Sequence, residues 1–415
     1  MEEKSKFFPK LNAKNLLLGL QHLFAMFGAT VLVPAATGLN PSVALFTAGL
    51  GTIAFHLITK KKVPVFLGSS FAFVAALQTI IKSQGIPAAQ GGIIMAGAIY
   101  LVLSLMCYIL GVDTIKKLFP PVVTGPVIIV IGLSLSGFAI SLASAQWVIA
   151  LLVLFTAIIV SIFFKGFFKL VPTLIGMSVG YIATIIYDLC IAAPDARFID
   201  FSKIASAPWV SPFWNFTDGS FFTIPQFSWS AIVMIAPIAL VTFMEHVGDI
   251  TTNGAVVGKD FLKDPGLHRT LLGDGLATMI AGVFGGPPNT TYSENTGVLA
   301  VTKIYDPALL RLTAVFAVFL GLFGKFGAVL QTLPDPVLGG VCILLYGMIS
   351  AVGIRTLAEA NLDFSNSRNL IIVAVILVLG LGLSNGIAIG SLTLSGNFVA
   401  VLAGVLLNAI LPANE

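Results

Sequence analysis

Charge is scarce in this chain: Asp, Glu, Lys and Arg make up 10% of 415 residues, while hydrophobic residues make up 57%. Soluble domains carry about a quarter charged residues, so a soluble fold is excluded. No hydrophilic stretch is long enough for a soluble domain. The largest, about 190–228, is rich in Pro, Phe and Trp; it reads as an interfacial loop, with Trp209, Trp214 and Trp229 as headgroup-level anchors. Cysteine is scarce too. Cys107, Cys190 and Cys342 are scattered and show neither disulfide nor metal spacing. Only four His occur. His246 follows Glu245, but the His-Glu-x-x-His order of a helical zinc site is missing, so no metal is expected. No cleavable leader is expected either, because the first apolar run carries Gln21 and His22 and has no convincing cleavage site. The net charge of +4 comes from loop lysines and implies no nucleic-acid partner.

What is present is hydrophobic length. A mean hydropathy of +1.01 predicts a polytopic membrane protein. The apolar runs read as fourteen segments: 14–35, 42–60, 63–82, 90–111, 121–143, 147–164, 170–189, 229–254, 270–286, 289–303, 308–331, 336–354, 369–384 and 391–411. With the N-terminus inside, 18 of the 22 Lys and Arg face inward, Lys4, Lys6 and Lys116 among them; Lys82, Arg197, Lys203 and Lys325 face outward. That bias fits the positive-inside rule. The halves also echo each other. Pro121, Val122, Gly125 and Gly132 recur at one constant offset as Pro336, Val337, Gly340 and Gly347. Seven spans separate the copies, so the second enters from the opposite side: an inverted repeat, as in many transporters.

Two segments cannot be continuous helices. In the third, Pro64, Gly68, Ser69 and Ser70 predict extended chain and then a serine-capped helix from about Ser70. From Phe71 to Lys82 such a helix spans about 16 Å, half of a hydrocarbon core. In the tenth, Gly285, Gly286, Pro287 and Pro288 predict the same break, with a half-helix from Ser293 to Lys303. Both half-helices start near the midplane and bring unpaired N–H groups and positive dipole ends to one place. Extended backbone at that depth needs partners, and the two stretches can pair as short antiparallel strands.

Three carboxylates fall inside hydrophobic sequence. Glu245 lies near mid-depth of the eighth segment, Asp249 one turn further on the same face, and Glu294 beside the second half-helix start. A buried carboxylate costs several kcal/mol unless it faces a cavity or partner, so each is a candidate site residue. Of two acids one turn apart and partly desolvated, one is expected to hold a proton at neutral pH. Such a carboxyl supplies the chemical part needed for proton coupling. His22 reads as a structural hydrogen-bonding group or a site member, and His56 as packing or interfacial. Asp274 reads as a partner of Arg269 near the inner surface. An intramembrane hydrolase would need Asp249 and Asp274 to face each other, and nothing in the sequence places Asp274 at matching depth.

The chain resembles the nucleobase/ascorbate transporter family in its bacterial uracil permease branch. The resemblance rests on Gln21 to Pro34, Leu67 to Phe73, Glu245-His246-Val247-Gly248-Asp249, Asp264 to Arg269 and Pro288 to Asn295. The family signature stands as Glu294-Asn295-Thr296-Gly297 with Thr302-Lys303. It implies two seven-span inverted repeats. Residues 1–114 and 229–334 would form a core domain, and 115–228 and 335–415 a gate domain. It also implies a dimeric proton symporter of the cell membrane with both termini cytoplasmic, needing no cofactor beyond the coupled proton. Substrate contacts would come from Glu245, Glu294, the backbone of Phe71 and Ser293, and Tyr292, Ser70, Ala29 and Tyr346. A similar uracil permease carries His where Asp249 stands, while other members of the family carry Asp there, which leaves Glu245, Asp249 or both, with His22, to carry the proton. Purine carriers often have Gln in place of Glu294, which favours uracil over xanthine or urate. An anion exchanger of similar architecture is the remaining alternative; acids at the site argue against it.

Overall fold

The computed structural model describes residues 7–111, 114, 117, 119–193, 196–210, 223–383, 386–389 and 392–412. Lys4, Lys6, Lys116 and Trp214 lie outside the described residues. The chain is mostly helical. The first half contains α1 (Ala13–Thr37), α2 (Pro41–Ile58), β1 (Leu67–Ser69), α3 (Val74–Gln84), α4 (Ile86–Leu110), α5 (Pro121–Ser134), α6 (Ser136–Ala143), α7 (Trp147–Phe163), α8 (Pro172–Cys190) and the short α9 (Phe201–Ser206). The second contains α10 (Trp229–Ile235), α11 (Ala239–Val257), α12 (Leu267–Phe284), β2 (Asn289–Thr291), α13 (Ser293–Thr302), α14 (Pro307–Leu322), α15 (Gly324–Gln331), α16 (Asp335–Glu359), α17 (Ser367–Gly382), the strands β3 (Ile387–Ile389) and β4 (Leu392–Leu394), and α18 (Gly396–Ile410). Among the described residues, seven helical stretches are long and apolar enough to cross a membrane, and α7, α14, α17 and α18 are shorter apolar helices.

The helices pack in two sets. In one, α1, α2, α4, α12 and α14 surround the broken segments; in the other, α5 to α8 pack with α16 to α18. The second set is drawn tight where α5 crosses α16. A Cβ at Gly132 would lie 2.3 Å from the Tyr346 carbonyl, and one at Gly353 would lie 2.5 Å from the Gly125 carbonyl. Only glycine allows backbones to approach that closely. Outward faces are large and apolar: in α7, Val148 is 75% exposed and Ile162 64%. Such faces suit lipid, where no hydrophobic drive buries them.

One expected helical segment departs from expectation. Residues 392–394, within the segment 391–411, pair with 387–389 as an antiparallel hairpin, Ile387 opposite Leu394, and helix begins only at Gly396. Asn385-Gly386 and Gly390-Ser391 flank an alternating run of β-branched and small residues, the composition of a hairpin rather than of a helix start.

Candidate functional site

The centre of the molecule is a ribbon of two three-residue strands. β1 and β2 run antiparallel with Leu67 opposite Thr291, Gly68 opposite Thr290 and Ser69 opposite Asn289. Two bonds extend it: Ser70 N–H donates to the Pro288 carbonyl and Tyr292 N–H to the Phe66 carbonyl, both at 2.9 Å. The ribbon's outer edges must find partners too, because buried backbone groups cannot be left bare. Helices supply them. Leu67 N–H donates to Thr52 Oγ1 at 3.0 Å, and Thr278 Oγ1 donates to the Asn289 carbonyl at 2.8 Å. His56 Nε2 donates to the Val65 carbonyl at 2.8 Å, which leaves Nδ1 to accept from Arg311 Nη1 at 3.2 Å. His56 is therefore neither packing nor interfacial. It completes the backbone of the broken third segment.

Half-helices leave both ends of the ribbon. After β1 comes a short 3-10 turn, Phe71–Phe73, and then α3; after β2, α13 begins at Ser293. The first N–H groups of each have no acceptor within the helix. Ser70 stands at the expected cap position, yet its hydroxyl makes no cap bond. Its Oγ is buried and has no hydrogen-bond partner among the described residues. The serine cap expected from the sequence is absent, and that oxygen remains open to a ligand. Glu294 lies in the first turn of α13, where a negative charge meets the positive helix end.

The acids come together here. Glu245 and Asp249 on α11 are half-buried, and Ser293 and Glu294 on α13 are exposed, while Thr291, Tyr292, Asn295 and Thr296 around them are buried. The charges of Glu245, Asp249 and Glu294 lie within electrostatic reach of one another. Among the described residues, no Lys or Arg forms an ion pair with any of them. Asn253, one turn beyond Asp249, ties the elements together: its Nδ2 donates to the Pro64 carbonyl and to Thr296 Oγ1, both at 3.0 Å. One side chain thus joins α11, the extended third segment and α13. Nothing in its local sequence signals this, because both partners are far away in the chain.

The aromatic residues divide between two roles. Phe71 is half-buried and meets buried Tyr346 edge-on, ring centroids 5.5 Å apart. Among the described residues, Tyr346 Oη has no hydrogen-bond partner beyond the weakly polar Cys342 thiol one turn away. Tyr292 is turned into the ribbon: its Oη donates to the Ser69 carbonyl at 2.8 Å and lies 3.3 Å from Thr30 Oγ1. Ala29, one residue before Thr30 on α1, is buried. His22 is buried on α1, where its carbonyl accepts from Asn295 Nδ2 at 3.0 Å and its Nδ1 lies 3.2 Å from the same nitrogen. It holds the second half-helix against α1.

Two expectations about Asp274 are corrected. It does not pair with Arg269. Its Oδ2 lies 2.8 Å from His246 Nδ1, and both side chains are wholly buried. It also lies at the depth of the site, close enough for its charge to act on Glu245 and Asp249. A carboxylate and an imidazole 28 residues apart satisfy each other across α11 and α12, so the nearby arginine is not needed.

The relatives of a chain with this ribbon and these acids are permeases, which are transporters and not enzymes. The chain belongs to the Permease family, the nucleobase/ascorbate transporters, which it matches over residues 13–389. It is 44% identical over 407 residues to the uracil permease of Bacillus caldolyticus, covering 96% of this chain and 92% of that one. It is 39% identical over 404 residues to the uracil permease of Escherichia coli strain K12, covering 95% and 90%. Among solved structures, the transmembrane domain of the cyanobacterial bicarbonate transporter BicA superposes with a TM-score of 0.65 at 15% identity, covering 96% of this chain and all of that one. SLC26A9 gives 0.70 at 13% identity, covering 97% and 66%. At such identity the likeness concerns the fold alone. The chain is an integral membrane protein.

Proposed function

We propose that this protein takes up uracil across the bacterial cell membrane by alternating access, coupled to protons. The observation that carries the reading is the meeting of Glu245 and Glu294 with two half-helix starts around one ribbon. Uracil presents two N–H donors and two carbonyl acceptors on a flat ring. The two carboxylates take the donors, and the N–H groups of Phe71 and Ser293 serve the carbonyls. Phe71 covers one ring face, and Ser70 Oγ and Tyr346 Oη are the spare polar groups nearby. Tyr292 and Ala29 form the wall behind. The names of the relatives, uracil permeases at about 40% identity over nearly the full chain, support the same substrate.

The architecture supporting this reading is fourteen spans in two inverted repeats. Strands that follow equivalent breaks and pair antiparallel are what a two-fold axis in the membrane plane produces. Residues 1–114 and 229–334 form the core, and 115–228 and 335–415 the gate that moves against it. We further propose a homodimer with both termini cytoplasmic, with Glu245 and Asp249 handling the coupled proton and His22 as support. The conformation reads as open to the inside. From the acids toward Lys259 and Lys303, α11 exposes Gly248, Thr251, Thr252 and Ala255, and α13 exposes Ala300 and Val301. Apart from Val301 that lane is small or polar, where the lipid faces are large and apolar, as expected of a water-filled path.

Labelled uracil uptake into proteoliposomes, competed by unlabelled uracil and xanthine, tests the reading. Uracil should compete best, and uptake should acidify a weakly buffered interior. Equal competition by xanthine would indicate a purine carrier of the same family.

A further inference from the structure

Behind the ribbon lies a buried polar cluster that substrate binding does not use. His246 Nε2 lies 2.9 Å from Thr270 Oγ1, and that hydroxyl donates its one proton to the Leu267 carbonyl at 3.0 Å. With that proton on the Leu267 carbonyl, the assignment that satisfies every group has Nε2 as the donor to Thr270. On the other side of the ring, Nδ1 faces Asp274 Oδ2 at 2.8 Å. Two bare acceptors at that distance would repel, so a proton sits between them, on the imidazole or on the carboxyl. Either way the His246–Asp274 pair is neutral overall. Asp274 Oδ1 makes no hydrogen bond to a side chain among the described residues, and the Thr291 backbone N–H faces this carboxyl.

One side chain connects this pair with the solvent-facing acids. Thr291 Oγ1 lies 3.4 Å from His246 Nδ1 and 3.4 Å from Asp249 Oδ2. It projects from β2, so the ribbon itself holds the hydroxyl between the buried pair and the half-exposed carboxyl. The other titratable groups around the cluster are Glu245 on α11, Glu294 on α13, Tyr292 beside Thr291 and Tyr100 on α4. Both phenols have hydrogen-bond acceptors already: Tyr100 Oη donates to Thr242 Oγ1 at 2.6 Å, and Tyr292 Oη to Ser69 O.

We propose that the His246–Asp274 pair is a resident proton store that exchanges one proton with Asp249 through the Thr291 hydroxyl. In the forward step the Nδ1–H bond breaks and the proton moves to Thr291 Oγ1. The original Thr291 O–H bond breaks at the same time, and that proton forms a new bond to Asp249 Oδ2. Asp249 becomes neutral, the hydroxyl is regenerated, and the pair is left with one negative charge and two bare acceptors, which must move apart until the proton returns. The return step reverses each bond. Contacts of 3.4 Å are too long for transfer as they stand, so exchange requires the ribbon to close by a few tenths of an ångström. This couples the step to movement of the site. Thr291 is thus a positioning residue that sets when Asp249 carries charge. The inference rests on the proposed proton-coupled uptake of uracil.

The test compares Thr291→Val, which keeps the shape and removes the hydroxyl, with Thr291→Ser, which restores it. Uracil binding, and uptake against external pH, are measured in proteoliposomes. Thr291→Val should bind uracil within about twofold of the parent, lose at least about tenfold in proton-driven uptake, and lose the pH dependence of what remains. Thr291→Ser should recover both rate and profile. Should Thr291→Val fold poorly, Asp249→Asn gives a second arm: it should flatten the profile alone, and adding Thr291→Ser should change nothing further. A parent-like pH profile in Thr291→Val or in Asp249→Asn overturns the proton store. Failure of the parent protein to respond to a proton gradient, with uracil binding intact, overturns the coupling reading and this inference with it; failure to bind uracil overturns the substrate instead.

Discussion

Tyr292 closes over Gly68. A Cβ built on Gly68 would lie 2.5 Å from Tyr292 Cε2 and 2.7 Å from Thr30 Oγ1. The ring is held there by its hydroxyl on the Ser69 carbonyl. Both residues belong to the ribbon, one on each side of the strand pair. Gly68→Ala should therefore push the ring out, part the strands and lower uracil uptake at least about tenfold, because overpacking of a closed interior costs roughly 1–3 kcal/mol. Tyr292→Phe, which keeps the ring and drops the bond, should be milder. Uptake and thermal stability of the two purified variants check the order.

Asn253 offers a test of the frame rather than of the site. Asn253→Leu removes donors from the Pro64 carbonyl and Thr296 Oγ1 in a buried setting. Leaving the carbonyl without a partner costs about 1–3 kcal/mol. The variant should melt several degrees lower in detergent and regain stability when uracil is added, since a ligand that binds only the folded site stabilises it. A melting curve superposable on the parent's would show that this bond contributes nothing.

Much of this frame was legible in the sequence, for a physical reason. Proline and glycine at Pro64, Gly68 and 285–288 forbid helix wherever they fall, so the two breaks and their pairing followed from local chemistry. The acids stood out because carboxylates inside apolar sequence need a cause. Pairings between distant helices were not legible. Asp274 has an arginine five residues before it, but its partner is His246 on another helix. His56 and Asn253 each donate one hydrogen bond to a backbone carbonyl, of Val65 and Pro64, and a carbonyl has no signature in the amino-acid code. The β3–β4 hairpin was missed because its apolar residues also suit a membrane helix.

Tyr346 and Ser70 keep buried oxygens without strong partners beside the half-exposed ring of Phe71. Groups left open in this way favour a ligand over the empty site. Tyr346→Phe should leave expression and melting temperature unchanged, because no strong bond is lost, and should weaken uracil binding by about fivefold to tenfold, the worth of one neutral hydrogen bond. Equal affinity would remove Tyr346 Oη from the site. Ser70→Ala should act in the same direction.

The tight crossing of α5 and α16 gives a prediction independent of transport chemistry. Gly353→Val would drive a side chain into the Gly125 carbonyl and Ile129 N. The helices would have to separate, and the protein should be recovered in low yield or melt at least several degrees lower. Gly347→Ala, in the same helix with open space around it, serves as the control and should behave as the parent.

In the proposed site, acids from two separate segments grip one nucleobase. Calorimetric titration of uracil into purified parent, Glu245→Gln and Glu294→Gln proteins tests it most directly. The parent should bind, and each variant should lose about tenfold to a hundredfold in affinity, since each exchange removes a charged acceptor from a substrate N–H. Uracil affinity in both variants within about twofold of the parent, with the proteins folded, would contradict it.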